Sequence, residues 1–391
     1  MTSIDFSIEV DVPAQTNVDF YNSLLQNQPV HVLDVRNPDA FQRGTIEGKS
    51  NLTVQNLPYY DFVEDADAAV AQVSSDRDIV VVCAKAQSSQ FVAGILQERG
   101  YRVSYLEGGM PSWGNFYDVR PLLEAPFGQI IQVARPARGD VSFVLVSDGQ
   151  AAVIDPLRHL AYYRDAVAQA NANITLILDT HAHADHISGG PALAAETDAP
   201  YYLHPYDAIH PMDMLPAQMP YQALTDGQRF QLGQLTIETI WFPGHTLGQV
   251  NFLVTAPDQS TYLFTGDGLF LESFGRPDLG GKGETWTPVL YQSLFQRLPA
   301  MINDQTWILP SHISHLDEGD GEGRFFAPYG QVRRNNAAMQ HGTREDFITF
   351  VLNNLPVFPP QYIEIKRVNL GLFIPDEEKA SELEIGKTSV P

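Results

Sequence analysis

A dense group of potential metal ligands follows a short apolar run that ends at Leu178. The chain then reads Asp-Thr-His-Ala-His-Ala-Asp-His-Ile-Ser-Gly-Gly. In an extended stretch leaving a strand, side chains two positions apart point the same way, so His181 and His183 can converge on one ion. Asp185 and His186 then turn toward a neighbouring point. One short loop therefore offers up to four ligands, and such a cluster at the end of a strand is typical of a metal centre.

Three further candidate ligands also stand directly after apolar, strand-like runs. They occur in the segments Phe-Pro-Gly-His245, Thr-Gly-Asp267 and Pro-Ser-His312. Each alone is more often a capping or core residue than a ligand, but strand ends are where a rigid sheet can hold ligands to the tolerances of a metal site. Cys83 is the single cysteine, so an intramolecular disulfide and a cysteine-based zinc site are excluded. Any metal must be held by histidines and carboxylates.

Two kinds of pattern predict the elements that position these residues. In the first part of the chain, strand-like runs alternate with a helical pattern, as in the strands Val30 to Val35 and Ile79 to Cys83 and the helix Ser89 to Arg99. This order predicts an α/β domain with a parallel sheet. Further on, the Asp148-Gly149 turn between two apolar runs predicts a hairpin, and antiparallel strands follow.

The boundary between the two patterns lies near residue 125, so we predict domains at residues 1–125 and 126–391. The pattern lapses around Arg120 to Gln129. The acidic, glycine-rich run Asp317 to Gly323 is interpreted as a solvated loop, and the segment from Leu355 onward as a tail on the surface. If the acidic run lies over the metal instead, it would disfavour anionic substrates there.

Length and charge limit the classes of function. The chain has 391 residues, enough for two or three domains, and a net charge of −23 from 24 basic and 47 acidic residues. DNA and RNA phosphates would be repelled, because no basic patch is concentrated anywhere. No stretch approaches the roughly 18 consecutive apolar residues of a membrane span, and the first residues lack the features of a signal peptide. We expect a cytoplasmic protein without a nucleic-acid or membrane partner.

The pattern His181-x-His183-x-Asp185-His186, followed by His245, Asp267 and His312, resembles that of the metallo-β-lactamase superfamily. The resemblance covers about residues 128 to 375. It implies an α+β domain built as an αββα four-layer sandwich, with the metal site at one edge of the two packed sheets.

A finer resemblance concerns the segment Gly275-Arg276-Pro277-Asp278, which is similar to the persulfide dioxygenases. The tail through Lys366-Arg367-Val368-Asn369 is similar to that of their bacterial members fused to a rhodanese. This resemblance implies one Fe(II) per chain, held by His181, His245 and Asp267, and a homodimer.

Two interpretations of the metal centre stay open. Two imidazoles and one carboxylate leave room on one ion for a sulfur anion and O₂, and the residues His183, Asp185, His186 and His312 would then orient the ligands. A dizinc thioester hydrolase of the glyoxalase II type would instead place a second metal at Asp185, His186 and His312. Arg276 either binds a substrate carboxylate, together with Asp278, or forms a structural ion pair with Asp278.

Cys83 ends an apolar strand and is followed by a loop that turns into a helix: Ala84, Lys85, Ala86, Gln87, Ser88 and Ser89. Backbone N–H groups and the start of that helix would favour a thiolate or persulfide there. The alternative is an inert, half-buried cysteine. With Leu33-Asp34-Val35-Arg36 and Glu107-Gly108-Gly109, residues 15 to 118 resemble the rhodanese family, which implies sulfur transfer through a Cys83 persulfide. Ala86 and Ser88 replace the family's usual glycine and arginine, so thiosulfate binding is in doubt.

The sequence therefore predicts a bacterial enzyme of sulfur metabolism. A low-molecular-weight thiol persulfide, with glutathione persulfide the first candidate, would react with O₂ and water to give sulfite and free thiol. The rhodanese-like domain would move sulfane sulfur between this persulfide and donors such as thiosulfate, in a direction that the sequence does not reveal. The alternatives are the dizinc hydrolase and a sulfane-sulfur binding or sensing protein without turnover.

Overall fold

The computed structural model describes residues 11–384 of the chain. Residues 11–117 contain a parallel sheet of five strands in the order β1-β5-β4-β2-β3, with helices on both of its faces. Its elements are β1 (Ala14–Gln15), α1 (Asn17–Leu25), β2 (Val30–Asp34), α2 (Pro38–Arg43), β3 (Leu52–Asn56), α3 (Tyr59–Glu64), α4 (Ala66–Val70), β4 (Asp78–Val82), α5 (Gln87–Glu98), β5 (Val103–Leu106) and α6 (Gly109–Gly114). The predicted α/β architecture of the first domain is confirmed.

The second domain begins with a sheet of seven described strands, in the order β12-β11-β10-β9-β8-β7-β6. Its elements are β6 (Asp118–Ala125), β7 (Gly128–Arg135), β8 (Asp140–Ser147), β9 (Gln150–Ile154), α7 (Ala161–Gln169), β10 (Asn173–Leu178), α8 (Gly190–Thr197), β11 (Tyr201–Leu203) and β12 (Gln222–Ala223). The predicted hairpin joins β8 to β9, and Asp148 and Gly149 have φ of 47° and 73°, as its tight turn requires.

A second sheet of six described strands packs against the first, in sequential order from β13 to β18. Its strands and the helices around them are β13 (Arg229–Leu232), β14 (Leu235–Trp241), β15 (Val250–Thr255), β16 (Thr261–Gly266), α9 (Gly283–Gln292), α10 (Leu298–Met301), β17 (Trp307–Pro310), β18 (Ala327–Pro328), α11 (Tyr329–Asn335), α12 (Arg344–Asn354), α13 (Gln361–Asn369) and α14 (Glu377–Leu383).

The core of the second domain lies between its two sheets. Phe143 of β8 and Phe264 of β16 meet there at 5.0 Å between ring centroids. Helices α7 and α8 cover the outer face of the first sheet, where Tyr163 and Leu193 are buried, and α9, α11 and α12 cover the other side. These are the four layers of the predicted αββα sandwich, which is confirmed.

The first domain packs firmly on the second. Trp113 and Tyr21 belong to the same apolar cluster as the core of the sandwich. Arg135 of β7 donates from Nε to the carbonyl of Gly114 (2.6 Å) and from Nη2 to Asn115 (3.2 Å). The acidic run lies at this contact, since Asp317 is 3.8 Å from Lys49 Nζ and Gly323 approaches Tyr21. Its interpretation as a solvated loop is therefore only partly right.

Two segments of the second domain are more regular than their sequence patterns suggested. The segment around Arg120 to Gln129, where the pattern lapses, lies in the paired strands β6 and β7. Pro121 accompanies a shift of register in β6, which is at the edge of its sheet, where proline is tolerated. Because β6 pairs with β7, we propose residue 117 rather than 125 as the domain boundary.

The tail is also more ordered than predicted. It contains the helices α13 and α14, and its side chains Lys366, Asn369 and Glu384 are buried. No helix in residues 11–384 is long and apolar enough to cross a lipid bilayer.

Candidate functional site

The candidate ligands meet at one edge of the sandwich, where strands of both sheets end. The loop 179–189 follows β10, His245 follows β14, Asp267 follows β16 and His312 follows β17. Asp140 opens β8 beside His312, to which it is joined by an isolated bridge. Because all these strands deliver their ends to one place, residues that are far apart in the sequence become neighbours.

Three of the predicted ligands form one group. The Asp267 Oδ2 lies 3.6 Å from His245 Nε2 and 4.0 Å from His181 Nε2. One ligand atom from each residue lies within 4.8 Å of the others, and all three side chains are buried. This metal trio has the spacing that a single ion would need.

Hydrogen bonds fix the tautomers of both histidines in the trio. His245 Nδ1 lies 2.9 Å from the carbonyl of Arg276, an acceptor, so Nδ1 carries the proton. Thr180 Oγ1 donates to the Asp155 carboxylate and lies 3.0 Å from His181 Nδ1, so that ring nitrogen must donate to the hydroxyl. In both rings Nε2 is therefore left with its lone pair toward Asp267. Such partners for the far nitrogen orient histidine ligands in metal sites.

Electrostatics also prepare the trio for a cation. Burial lowers the pKa of His245 to about 3 and that of His181 well below its ordinary value, with Lys366 contributing to both, so both rings are neutral. Burial raises the pKa of Asp267 well above its ordinary value, and the charge of Asp185 adds to this. A buried carboxylate between two neutral imidazoles lacks a compensating charge, which a metal ion would supply.

A second group lies beside the trio and contains Asp140, Asp185, His186 and His312. His186 Nδ1 is 3.1 Å from Asp185 and 3.8 Å from Asp140, and His312 Nδ1 is 3.6 Å from Asp185 and 3.7 Å from Asp140. Both oxygens of Asp140, both ring nitrogens of His186 and His312 Nδ1 lack hydrogen-bond partners within residues 11–384. Burial would lower the pKa of His186, but Asp185 and Asp140 raise it to about 9. A bound proton or a second cation would balance the negative charge of the two carboxylates in this group.

His183 occupies a position between the two groups. Its ring lies 4.1 Å from that of His181 and 4.2 Å from that of His186, measured between centroids. His183 Nε2 is 3.2 Å from Asp155, while Nδ1 has no hydrogen-bond partner among the described residues. Asp155 thus supports the trio through Thr180 and also binds His183.

The backbone of the histidine loop is held from outside. Asp207 accepts hydrogen bonds from Ala182 N (2.8 Å), Thr246 Oγ1 (2.8 Å) and Gly248 N (3.1 Å), so it ties the loops of His181 and His245 together. These contacts fix the distance between the two histidines independently of any ion.

The tail forms a second support, which we call the tail clamp: Asn369 and Glu384. Asn369 donates to the carbonyls of His183 and His186, both at 2.9 Å, and accepts from Ser188 N. Glu384 accepts from Ile187 N (2.9 Å). The tail clamp therefore holds the loop that carries four of the predicted site residues.

The Arg276 side chain interacts with other residues of the same chain. Its guanidinium forms a two-point ion pair with Asp278 at 2.7 and 2.9 Å, donates to the carbonyls of Pro356 and Val357, and lies 5.3 Å from the ring centroid of Phe358. The structure shows the ion pair between Arg276 and Asp278, while the binding of a substrate carboxylate by these residues stays a prediction. The side chain holds the segment leading to α13.

The Cys83 loop lies in the first domain, far along the chain from the trio. Cys83 is buried in the apolar core of that domain, and its thiol is 3.3 Å from Ser89 Oγ, which itself donates to the carbonyl of Ala86 (2.9 Å). The thiol is therefore the donor toward Ser89. Ala86 has φ of 70°, a left-handed conformation that favours the glycine usual in rhodaneses. Within residues 11–384 no backbone N–H donates to the thiol, so the expected cradle is not formed.

Two family models match the chain. The model of the metallo-beta-lactamase superfamily matches residues 136–312, and that of the rhodanese-like domain matches residues 17–116. An uncharacterized protein of Mycobacterium leprae is 32% identical over 193 residues, which are 45% of this chain and 82% of the relative. The chain belongs to the metallo-beta-lactamase superfamily. It carries a rhodanese-like domain before its metallo-beta-lactamase domain.

Other members of the superfamily with curated names differ in activity. A hydroxyacylglutathione hydrolase of Nitrosococcus oceani is 32% identical over 42% of this chain and 57% of the relative. The mitochondrial persulfide dioxygenase of Bos taurus is 31% identical over 42% of this chain and 60% of the relative. A solved metallo-beta-lactamase of Staphylococcus aureus superposes with a TM-score of 0.53 at 22% identity, covering 66% of this chain and 73% of that one, and so supports the fold.

The superfamily's metal-binding site is present here, since the buried histidine and aspartate groups fit a cation. The sequence pattern identified seven of the clustered residues but missed Asp140, Asp155, Asp207 and the tail clamp. Asp155 directly follows β9, which is the signal that identified Asp267, whereas Asp140 is the first residue of β8. Asp207 and the tail residues carried no such signal.

Proposed function

We propose that the chain is an iron-dependent persulfide dioxygenase. One thiol persulfide, one O₂ and one water would give one thiol, one sulfite and two protons. The substrate class is a low-molecular-weight persulfide, with glutathione persulfide as the first candidate, and the iron would be held by His181, His245 and Asp267.

The observation that carries this proposal is the composition of the metal trio. Two imidazole nitrogens and one carboxylate oxygen share one small volume, whereas His183 is bound to Asp155. This donor set is the one that non-haem Fe(II) oxygenases use, because it leaves several positions on the ion open. The similarity to a persulfide dioxygenase supports the same choice.

The residues of the chain would prepare this chemistry in three ways. His181 and His245 present Nε2 lone pairs, and Asp267 supplies the negative charge. Asp155 and the Arg276 carbonyl keep both rings in the required tautomer. Burial of the trio excludes bulk water from the reacting sulfur. Bound iron(II) would supply the place where the sulfur anion and O₂ meet.

Metal analysis combined with an oxygen electrode tests the proposal. We expect the aerobically purified protein to contain one iron per chain and to consume one O₂ for each glutathione persulfide added, with sulfite as the product. A protein that carries paired zinc and cleaves glutathione thioesters without consuming O₂ would contradict it. Persulfide binding without O₂ uptake would indicate a binding or sensing protein.

A dizinc thioester hydrolase is the second candidate, and the second group favours it. Asp185, His186 and His312 are buried and have polar atoms without hydrogen-bond partners among the described residues, and a second metal ion would bind such atoms. The similarity to a hydroxyacylglutathione hydrolase supports the same candidate. Asp140 would add a second carboxylate to this site, and a site of two histidines and two carboxylates is compatible with zinc.

We also propose that Cys83 transfers sulfane sulfur and takes no part in the oxygen reaction. Replacing Cys83 with serine is then expected to abolish transfer of sulfur from thiosulfate or glutathione persulfide to cyanide, while O₂ uptake stays within about twofold of the wild type. The two activities are measured on the same preparation. Unchanged sulfur transfer in the variant would show that Cys83 is a core residue, and loss of both activities would contradict the division of labour.

A further inference from the structure

Asp207 is a buried carboxylate that joins the two histidine segments of the metal trio. Its side chain is 4% exposed, and its Oδ2 accepts hydrogen bonds from Ala182 N and from Thr246 Oγ1, both at 2.8 Å. Ala182 directly follows His181 in the chain. Thr246 directly follows His245. One carboxylate oxygen therefore receives a hydrogen bond from the residue next to each histidine of the trio.

The residue at position 248 is adapted to this close contact. The second carboxylate oxygen, Asp207 Oδ1, accepts from Gly248 N at 3.1 Å. A Cβ atom at Gly248 would lie 2.7 Å from both Cβ and Cγ of Asp207, closer than non-bonded carbon atoms approach each other. A glycine therefore lets the segment after His245 come this near to the carboxylate. Because both oxygens accept, an amide, which has only one oxygen, cannot make all three bonds.

Asp207 is itself held in place by the backbone. It lies in a turn after β11, in which Asp207 N and Ala208 N both donate to the carbonyl of His204, at 2.9 and 3.2 Å. Ala217 N donates to the carbonyl of Ala208 (2.7 Å), which closes the excursion 208–217. A residue can fix the position of a ligand only if its own position is fixed, and these bonds meet that condition.

A second link joins the same two histidine segments. Val250 N donates to the carbonyl of Thr180 at 2.8 Å. This bond alone would let the two segments swing about one point, whereas Asp207 attaches them to each other at another point. Two points of attachment fix the separation of His181 and His245. The separation matters because the ligand atoms of a metal site must lie within about 0.2 Å of their preferred distances from the ion.

We propose that Asp207 is a positioning residue of the metal trio, which holds His181 and His245 at the separation that an ion needs before the ion binds. Folding then brings the ligands together, so that metal binding does not have to, and the ion is held more tightly and in one geometry. The proposal rests on the trio as the metal site of the proposed function, but it applies to iron and to zinc alike. Asp207 acts through the backbone of the two segments and is not itself a ligand.

Binding of Co(II) tests this proposal without turnover, because the visible spectrum of cobalt reports the geometry of its ligands. The metal-free protein is titrated with Co(II) against a competing chelator, and only the ion that is lost in His245→Ala is counted. We expect Asp207→Asn, which keeps the shape of the side chain, to raise the dissociation constant about 10- to 100-fold, as loss of a residue that orients a ligand does. Its cobalt spectrum should differ from that of the wild type.

Two variants of Thr246 keep the proposal testable if Asp207→Asn fails to fold. Thr246→Val keeps the shape and removes the hydroxyl, and it should bind Co(II) about tenfold more weakly, since a hydrogen bond to a carboxylate is lost. Thr246→Ser keeps the hydroxyl and should bind Co(II) as the wild type does. A residue that only fills space would not give this difference between valine and serine.

Asp213→Asn is the matched control, because Asp213 lies in the excursion 208–217 but pairs with Arg367, at 2.7 Å. It should keep the affinity and the spectrum of the wild type. Wild-type affinity and spectrum in Asp207→Asn would overturn the proposal, as would equal affinities of Thr246→Val and Thr246→Ser, and the trio would remain a metal site in both cases.

The same titration distinguishes this proposal from the proposed function. If the wild type binds no ion that His245→Ala loses, the role of Asp207 and the proposed function are refuted together. If the expected loss of affinity is found in Asp207→Asn but the iron-loaded wild type consumes no O₂ with glutathione persulfide, the dioxygenase function is refuted and the role of Asp207 is supported.

Discussion

Replacing His245 with alanine is expected to abolish metal binding and O₂ uptake together. The variant retains only two of the three ligands. Loss of a residue that merely orients a ligand lowers metal affinity about 10- to 100-fold, so loss of a ligand itself should lower the affinity by more than about 100-fold. His181→Ala and Asp267→Ala should likewise lose metal binding and O₂ uptake. Metal content after dialysis and an oxygen-electrode trace on the same sample measure both effects.

Two further variants show whether the effect belongs to the trio. His204 is a buried histidine outside both groups, stacked on Trp241 at 6.2 Å between ring centroids, and His204→Ala should keep the metal. His312→Ala separates the two functional candidates. The iron enzyme should retain its metal in that variant, whereas a dizinc hydrolase should lose one of two ions. Retention of a full metal complement by His245→Ala would refute the assignment of the trio.

Replacing Glu384 with glutamine is expected to lower the free energy of unfolding by about 3 kcal/mol at neutral pH. Burial would raise the pKa of Glu384, but Arg135, at 2.9 Å, and Arg158, at 3.1 Å, lower it to about 2 from an ordinary 4.5. The variant removes the buried carboxylate charge that pairs with both arginines and weakens the hydrogen bond to Ile187 N. Urea unfolding followed by circular dichroism measures the loss.

The pH dependence of this effect has a definite sign. The folded protein binds the proton of Glu384 less readily than the unfolded chain does, so the stabilisation is complete above about pH 4.5 and decreases as the pH falls toward 2. The difference in free energy of unfolding between the wild type and Glu384→Gln should therefore become smaller as the pH falls from about 4.5 toward 2. Glu377→Gln is the control, because this exposed partner of Arg158 on the same helix should contribute less than about 1 kcal/mol. A difference that does not vary with pH would exclude the ion pairs as its origin.

The sequence indicated the metal groups because their residues share a local signal. His181, His245 and Asp267 each stand just after an apolar run, and such runs end at a common edge when they form packed sheets. The hairpin at Asp148 was also predicted from a local signal, because an Asp-Gly pair favours the positive φ of its turn. Elements defined by a short pattern were therefore predicted with nearly the right bounds.

The parts that were missed depend on contacts between distant residues. Asn369 touches the carbonyl of His183, 186 positions earlier, and nothing around either residue indicates the pairing. Helix α14 did have a local signal, because Asp376 caps the helix by accepting a hydrogen bond from Lys379 N. The helix was not predicted because its apolar pattern is weak. Strand β6 was not predicted because it contains Pro121, and proline is compatible with a strand mainly at the edge of a sheet.

The tail clamp has a consequence for the order in which the protein matures. Among residues 11–384, Asn369 donates to the carbonyls of both His183 and His186, and Glu384 accepts from Ile187 N. During synthesis the ribosome must release some 200 more residues after the histidines before these bonds can close. The contacts that hold the histidine loop from the tail therefore form late, after the strands of both sheets have been synthesised.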